Sequence, residues 1–550
     1  MRRPGPRRLA AVLALGMALG ASGACRDDSG ESDGASQATT PLSATELLVR
    51  ASLDVRGIRP TAEELAAVEA DPARVDAMID AFVDDPAFAL RIKDLFAGAW
   101  RTRIDGYPLP VEDYDVGLES PLHAAMGEEP LDLLAYIVLN DLPLTYLLRA
   151  EDTFVDPLLL DVWPLEPLEP EPGTTLPAGV VRARYADGRP LAGVLSMNAV
   201  FWRHSSTVEN ANRGRANALS QALLCQSYLD RPIDFPTDLD LTDSESIRHA
   251  IATNVACQGC HATLDPLASY LWGYMYPQTE RPEADYAVEQ ERAWEIHTDA
   301  RPAFFGQPGE RMVDLADHVA GDERFVACAV RRVYEGMMGR PAELADEGAL
   351  AEHRERFLSD GLSLRALVRS VLADPGYRGR AWTPRFGGEP QPVAAKVAPV
   401  SVLAGSLTDL SGYALTFAGR PAVRLDLALR RLAGGSDRGD TQSVSTGAVL
   451  VQRRLAEAGA THAVEAALAG QAAGGRLDAY LASVDLAAAP RPADLVALVR
   501  LARSRTRAED DPEIAALRAV WDDVAALATP RDAWIAVVTA TLADPDHLVY

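Results

Sequence analysis

A mainly α-helical, multi-domain protein is the fold class this sequence predicts, and three observations carry the prediction. At 550 residues the chain is too long for one core, so two to four domains are expected. Alanine, leucine, arginine and aspartate dominate while aromatic residues make up only 6%, a mix that favours helices over strands. Apolar residues recur at helical spacing behind serine, threonine and aspartate caps along most of the chain.

The first 24 residues read as a secretory signal. Four arginines precede an apolar run, and small residues lead to Cys25, which is the charged, apolar and small-residue succession of an export signal. The apolar run is well short of the roughly 20 residues a membrane span requires. Small residues before a lone cysteine also match a bacterial lipobox, with Ser22 where leucine is usual. Cys25 is therefore expected to be lipidated, plain cleavage being the alternative. The location this predicts is the cell envelope, as a periplasm-facing lipoprotein (outer membrane in preference to inner), or secretion. Residues 25–40 are polar and suit a flexible tether, so membrane attachment would be through the N-terminal lipid alone. The formal charge of −26 argues against nucleic acid, because a phosphate-binding surface needs a basic patch.

Residues 41–150 read as an N-terminal helical module. LSATELLVRASLDV places Ser43 as a cap with Glu46 three residues on, and RPTAEELAAVEA repeats the logic at Thr61. ARVDAMIDAFVDDPAF is amphipathic and stops at Pro86. Residues 151–205 form an insertion: a proline- and acid-rich irregular loop, then VVRARYADGRPLAGVLS, read as a hairpin turning at Ala186-Asp187-Gly188. Residues 206–385 are a further module with closing helices, 386–400 a linker, and 401–550 a C-terminal helical module broken by GGSDRGD. A helix followed by Asp-Pro and an apolar or aromatic residue recurs at 85, 374 and 544; a repeated helical module is one reading, ordinary helix punctuation the other.

The chemistry is concentrated in ATNVACQGCHATLDP, residues 252–266. Covalent attachment of haem c needs two thiols on one turn to meet the two vinyl groups, and an imidazole next to them to reach the iron. Cys257 and Cys260 would carry the thioethers and His261 would be the proximal iron ligand, giving one covalent haem. The lead-in SESIRHAIATN reads as a helix capped by Ser244 or Ser246. The carbonyl of Pro266 is expected to accept the imidazole N–H, and Leu264, Leu267, Leu271 and Trp272 are expected to pack on the porphyrin, a role compatible with ordinary core. A zinc site would need a second ligand pair, and a thioredoxin-like redox pair would need a βαβ context; neither is present in the sequence. For the distal position Met312 is the candidate, with an open or water-bound site as the alternative; Met275, Met337, Met338, His297 and His318 are weaker choices. DLDLTD, 238–243, lacks the glycine and glutamate of a calcium loop and reads as a solvated turn.

Five cysteines are present. With Cys25 and the 257/260 pair assigned, Cys225 and Cys328 remain, and in an oxidising compartment they are expected to form a disulfide, two buried free thiols being the alternative.

The text around the CxxCH resembles a known group. GVLSMNAVFWRHSS, NRGRANALSQALLCQ and SIRHAIATNVACQGCHATLDPLASYLWGY are similar to the Planctomycete cytochrome C type families, large secreted multi-domain proteins also found in myxobacteria and mostly of unknown function. Arg213, Gly214, Cys225, Arg248, Cys257, Cys260, His261, Asp265 and Pro266 carry the likeness, and FVACAVRRVYEGMMGRP resembles the family's cysteine helix. LDVRGIRPTAEEL, LAGSLTDLSGY and GGSDRGD resemble its flanking modules. The resemblance implies a cytochrome-c-like haem module over 206–385 and supports the pairing of Cys225 with Cys328. Ala268 and YLWGYMYP stand where the family has glycine and an acidic, aromatic segment, so the haem rim is more apolar here.

Three functions are therefore weighed. The first is electron transfer by a tethered mono-haem cytochrome, with a redox partner or envelope complex. The second is an open-site haem oxidoreductase, peroxidase-like, whose distal acid and base the sequence does not name. The third is an envelope binding or scaffold protein with a structural haem, favoured by how much of the chain electron transfer alone does not require.

Overall fold

The structure, a computed structural model, describes residues 40–104, 106–107, 119–230, 239–240, 242–275, 286–382, 391–392, 395–414, 416–417, 420–421, 426–439 and 443–550. The signal, Cys25, the tether up to residue 39, and the linker residues 386–390 and 393–394 lie outside these. The fold is mainly helical, as its composition predicts. No helix among the described residues is long and apolar enough to cross a membrane.

Helix Ala44–Arg56 begins at Ser43, whose hydroxyl accepts from the Glu46 N–H while Glu46 reaches back to the Ser43 N–H. Thr61 and Glu64 repeat this at helix Ala62–Ala70. Both are capping boxes, each satisfying two of the N–H groups a helix start leaves free. Helix Val75–Asp84 stops before Asp85, and Phe88–Trp100 follows.

One apolar core runs from Leu47 to Tyr377 and takes in Phe88, Phe201, Phe304 and Phe357. A second runs from Val400 to Leu548 around Leu410, Leu498 and Trp534. Polar contacts join the two. The Asp54 carboxylate accepts from the Tyr377 hydroxyl at 2.6 Å and from the Tyr550 hydroxyl at 2.7 Å, and it is ion-paired with buried Lys396. Lys396 and Tyr550 also exchange backbone hydrogen bonds of 2.9 and 3.0 Å. The described part of the 386–400 segment is thus hydrogen-bonded into the molecule: Gln391–Pro392 pairs with Gly379–Trp382, which also pairs with Thr40–Pro41.

The insertion differs from the sequence expectation. Val181–Tyr185 is the central strand of a three-stranded antiparallel sheet, between Thr153–Val155 and Leu165–Leu168. Its partners therefore lie upstream, and the stretch after Gly188 turns into a 3-10 segment, Gly193–Ser196. Leu165–Leu168 comes from the acid- and proline-rich run read as irregular. Pro167 is tolerated because that strand is an edge and its missing N–H costs no ladder bond. A small cluster containing Met126, Val155, Trp163 and Trp202 fills the space beneath.

The recurrent Asp-Pro also resolves. The chain has seven such dipeptides. In six, at Asp71, Asp85, Asp156, Asp374, Asp511 and Asp544, the carboxylate accepts the N–H two residues on. In five of these the aspartate is the N-cap, proline sitting where a helix start needs no N–H, and Asp85 holds the turn that leads into Phe88–Trp100. The exception is Asp265.

Candidate haem site

Two helices approach the CxxCH. Ser244–Thr253 is capped by Asp243, which accepts from the N–H groups of Glu245 and Ser246; the cap is one residue earlier than the serines suggested, because the Asp243 carboxylate reaches both donors. Asp240 accepts from Thr242, a solvated turn. Asn254 ends that helix and caps the next, Val255–Ser269, its side-chain oxygen accepting from Ala256 and Cys257.

Helix Val255–Ser269 is half in and half out. Its first turns project, with Val255 82% exposed, while Leu264, Leu267 and Ala268 are buried. Residues three and four apart share a helix face, so Cys257, Cys260 and His261 lie together, followed by Leu264 and Asp265. Cys257 and Cys260 are free thiols of intermediate exposure.

Asp265 is the junction of the site. His261 Nδ1 lies 2.9 Å from Asp265 Oδ1. Arg213 holds the same carboxylate with two bonds, Nε to Oδ1 at 2.7 Å and Nη2 to Oδ2 at 2.9 Å. Burial alone would raise the Asp265 carboxyl, but the hydrogen bonds from Arg213 and His261 outweigh it and hold the group below the usual carboxylate range. An ionised carboxylate only accepts, so Nδ1 carries the imidazole proton and Nε2 keeps its lone pair for a metal.

This corrects the expectation for Pro266. The helix continues through Pro266 to Ser269, and helical carbonyls point toward the C-terminus, away from a residue five positions back. A side chain four positions on leans back toward the N-terminus, which puts the Asp265 carboxylate where the Pro266 carbonyl was expected.

Arg213 opens helix Arg213–Leu224, after a tight turn in which Ala211 and Asn212 both have positive φ. Arg215 locks that turn in place. It is 3% exposed and donates to the carbonyls of His204, Tyr274 and Phe201 and to the Asn212 side chain. Burial pushes the Arg215 guanidinium down to about 10. The far end of the same helix is Cys225, disulfide-bonded to Cys328 of helix Glu323–Met338, with Cα atoms 5.2 Å apart. The expected pairing is present. Tyr228 adds a bond from its hydroxyl to Thr263, on the CxxCH helix.

The other predicted residues fall as follows. Leu264, Leu267, Leu271 and Met312 belong to one apolar core, with Met312 1% exposed at the start of helix Met312–Ala320. Trp272 is 1% exposed and stacks on His297 with ring centroids 4.9 Å apart. His318 contacts the Pro308 carbonyl and stacks on Phe304. Arg248 is exposed and pairs with Glu245. A cavity of about 580 Å³ is lined by Arg50, Arg59, Ser504 and Tyr550, and no residue of the CxxCH lines it. Among the described residues no three His, Cys, Asp or Glu side chains converge as a metal-holding group, whereas a structural zinc site asks for four. Two thiols and one imidazole with its Nδ1 already bound do fit covalent haem, which takes a single protein nitrogen on this side.

Residues 191–275 match the family model PSCyt3, described as a protein of unknown function (DUF1588). The match covers Arg213, Arg215, Cys225, the CxxCH and Asp265. No curated protein and no solved structure matches the chain.

Proposed function

We propose that the chain is an exported, lipid-anchored mono-haem protein of c-type cytochrome character that transfers electrons in the cell envelope. The reading rests on one observation above the others: a single helix carries two unpaired cysteines and a histidine on one partly exposed face, with the histidine's Nδ1 already committed to a carboxylate. The match of residues 191–275 to PSCyt3 supports it, as does the export signal read from residues 1–24.

Cys257 and Cys260 would hold the haem through thioether bonds and His261 would ligate the iron through Nε2. Bound there, haem supplies a one-electron couple. Asp265 orients the imidazole and fixes its tautomer, Arg213 fixes Asp265, and the buried Leu264 and Leu267 anchor the helix in the core. The distal position is left to Met312 or to an open site.

The test is a visible spectrum and a pyridine haemochrome assay on protein matured in a periplasm. One covalent haem per chain is expected. A chain that matures with no covalent haem sinks the proposal. A charge-transfer band of methionine ligation would support electron transfer; a high-spin ferric haem that turns over peroxide would favour the oxidoreductase reading instead.

A further inference from the structure

Asp265 Oδ1 is shared. It accepts from His261 Nδ1 at 2.9 Å and from Arg213 Nε at 2.7 Å, while Oδ2 takes a second bond from Arg213 at 2.9 Å. The three side chains are largely sheltered, 24%, 10% and 21% exposed for His261, Asp265 and Arg213, so water competes poorly for these bonds. A carboxylate that accepts an imidazole N–H pushes electron density toward the other ring nitrogen and makes it a stronger metal donor. A guanidinium fork on the same carboxylate draws on the same lone pairs and weakens that push.

We propose that Asp265 and Arg213 are positioning residues that set the donor strength of His261 in opposite directions, Asp265 raising it and Arg213 restraining it through Asp265. This rests on the reading of His261 as a haem ligand. A stronger nitrogen donor stabilises ferric over ferrous iron, so the two residues bias the reduction potential with opposite sign. Helix Arg213–Leu224 places the restraint: its first residue meets Asp265 and its last is followed by Cys225, which the disulfide ties to helix Glu323–Met338.

The experiment is a spectroelectrochemical titration of full-length, haem-loaded protein, with covalent haem checked by haemochrome in every variant. Asp265→Asn should raise the midpoint and Arg213→Met should lower it, each by about tenfold in the ferric/ferrous equilibrium, about 59 mV for one electron. Arg213→Lys, which keeps the charge but not the fork, should fall between Arg213→Met and wild type. The double variant decides the mechanism. If Arg213 acts through Asp265, Arg213→Met adds nothing in an Asp265→Asn background. An undiminished effect there would mean a plain long-range field and overturns the proposal, as do shifts of the same sign or none. Should Asp265→Asn fail to mature, Asp265→Glu replaces it and is expected to stay close to wild type; a midpoint tenfold in equilibrium above wild type, about 59 mV, would overturn the proposal. Loss of covalent haem from the wild type would instead defeat the haem reading itself.

Discussion

His261 and Asp265 sit one helical turn apart with Nδ1 and Oδ1 2.9 Å from each other. This is the one Asp-Pro aspartate of seven that serves a side chain in place of a helix start. That difference in use leads to a difference in cost.

Asp71 is exposed and caps only a 3-10 turn. Asp71→Ala should cost about 1 kcal/mol or less. Asp265→Ala strips the partner from Arg213 and His261 at a sheltered site and should cost about 2 kcal/mol. Urea denaturation of the two variants side by side checks the order, and a larger loss for Asp71→Ala would contradict it.

Cys257→Ser/Cys260→Ser should abolish covalent haem and leave the apo fold in place. Both thiols are free and partly exposed; Cys260 touches the core only from its edge, and the buried residues of their helix start at Leu264. Far-UV circular dichroism and the melting temperature of the haem-free protein should match those of haem-free wild type, with the haemochrome signal absent.

Cys225→Ser/Cys328→Ser opens a cross-link between residues 103 apart. In the chain-entropy view a loop of that length stabilises by about 4.7 kcal/mol, so a loss of unfolding free energy of that order is expected. The same fall should appear in wild type on reduction and be missing from the reduced variant.

Glu129 gives a pH dependence. Its carboxyl is fully buried and receives bonds from Tyr185, Ala199 and Thr153; burial dominates and pushes it up to about 7. The folded state therefore binds more protons than the unfolded state between about 4.5 and 7. Stability from this group is complete below about 4.5 and is lost as pH rises through about 7. Denaturation at pH 5, 6, 7 and 8 should show that decline in wild type and a flatter profile in Glu129→Gln. Parallel profiles would remove Glu129 as the cause.

What the sequence makes legible here is local. Ser43 with Glu46 and Thr61 with Glu64 are readable because a capping box needs only residues three apart. The Cys225–Cys328 bond follows from counting thiols. The CxxCH is readable because its chemistry demands adjacency. Strand pairing is not legible: nothing in LEPL announces that it borders Val181–Tyr185, since its proline and its one glutamate reflect an exposed edge. The Asp265 contact carries a readable signal, an aspartate four residues after a histidine, but the neighbouring Pro266 carbonyl competes for the same role, and only the unbroken helix decides between them. Arg213 lies 52 residues from Asp265, and only the fold brings the pair together.

The disulfide has a consequence for maturation. Four cysteines, at 225, 257, 260 and 328, are nested in the sequence: the outer two are bonded to each other and the inner two are free. Four thiols can pair in three ways, and the quickest closure is between the neighbours Cys257 and Cys260. The chain thus places opposite demands on one oxidant supply, which must join partners 103 residues apart while sparing a pair on adjacent turns of one helix. A thiol reductant acting on Cys257 and Cys260 reconciles the two, and its selectivity cannot rest on access alone, because Cys225 is exposed while Cys257 and Cys260 are of intermediate exposure.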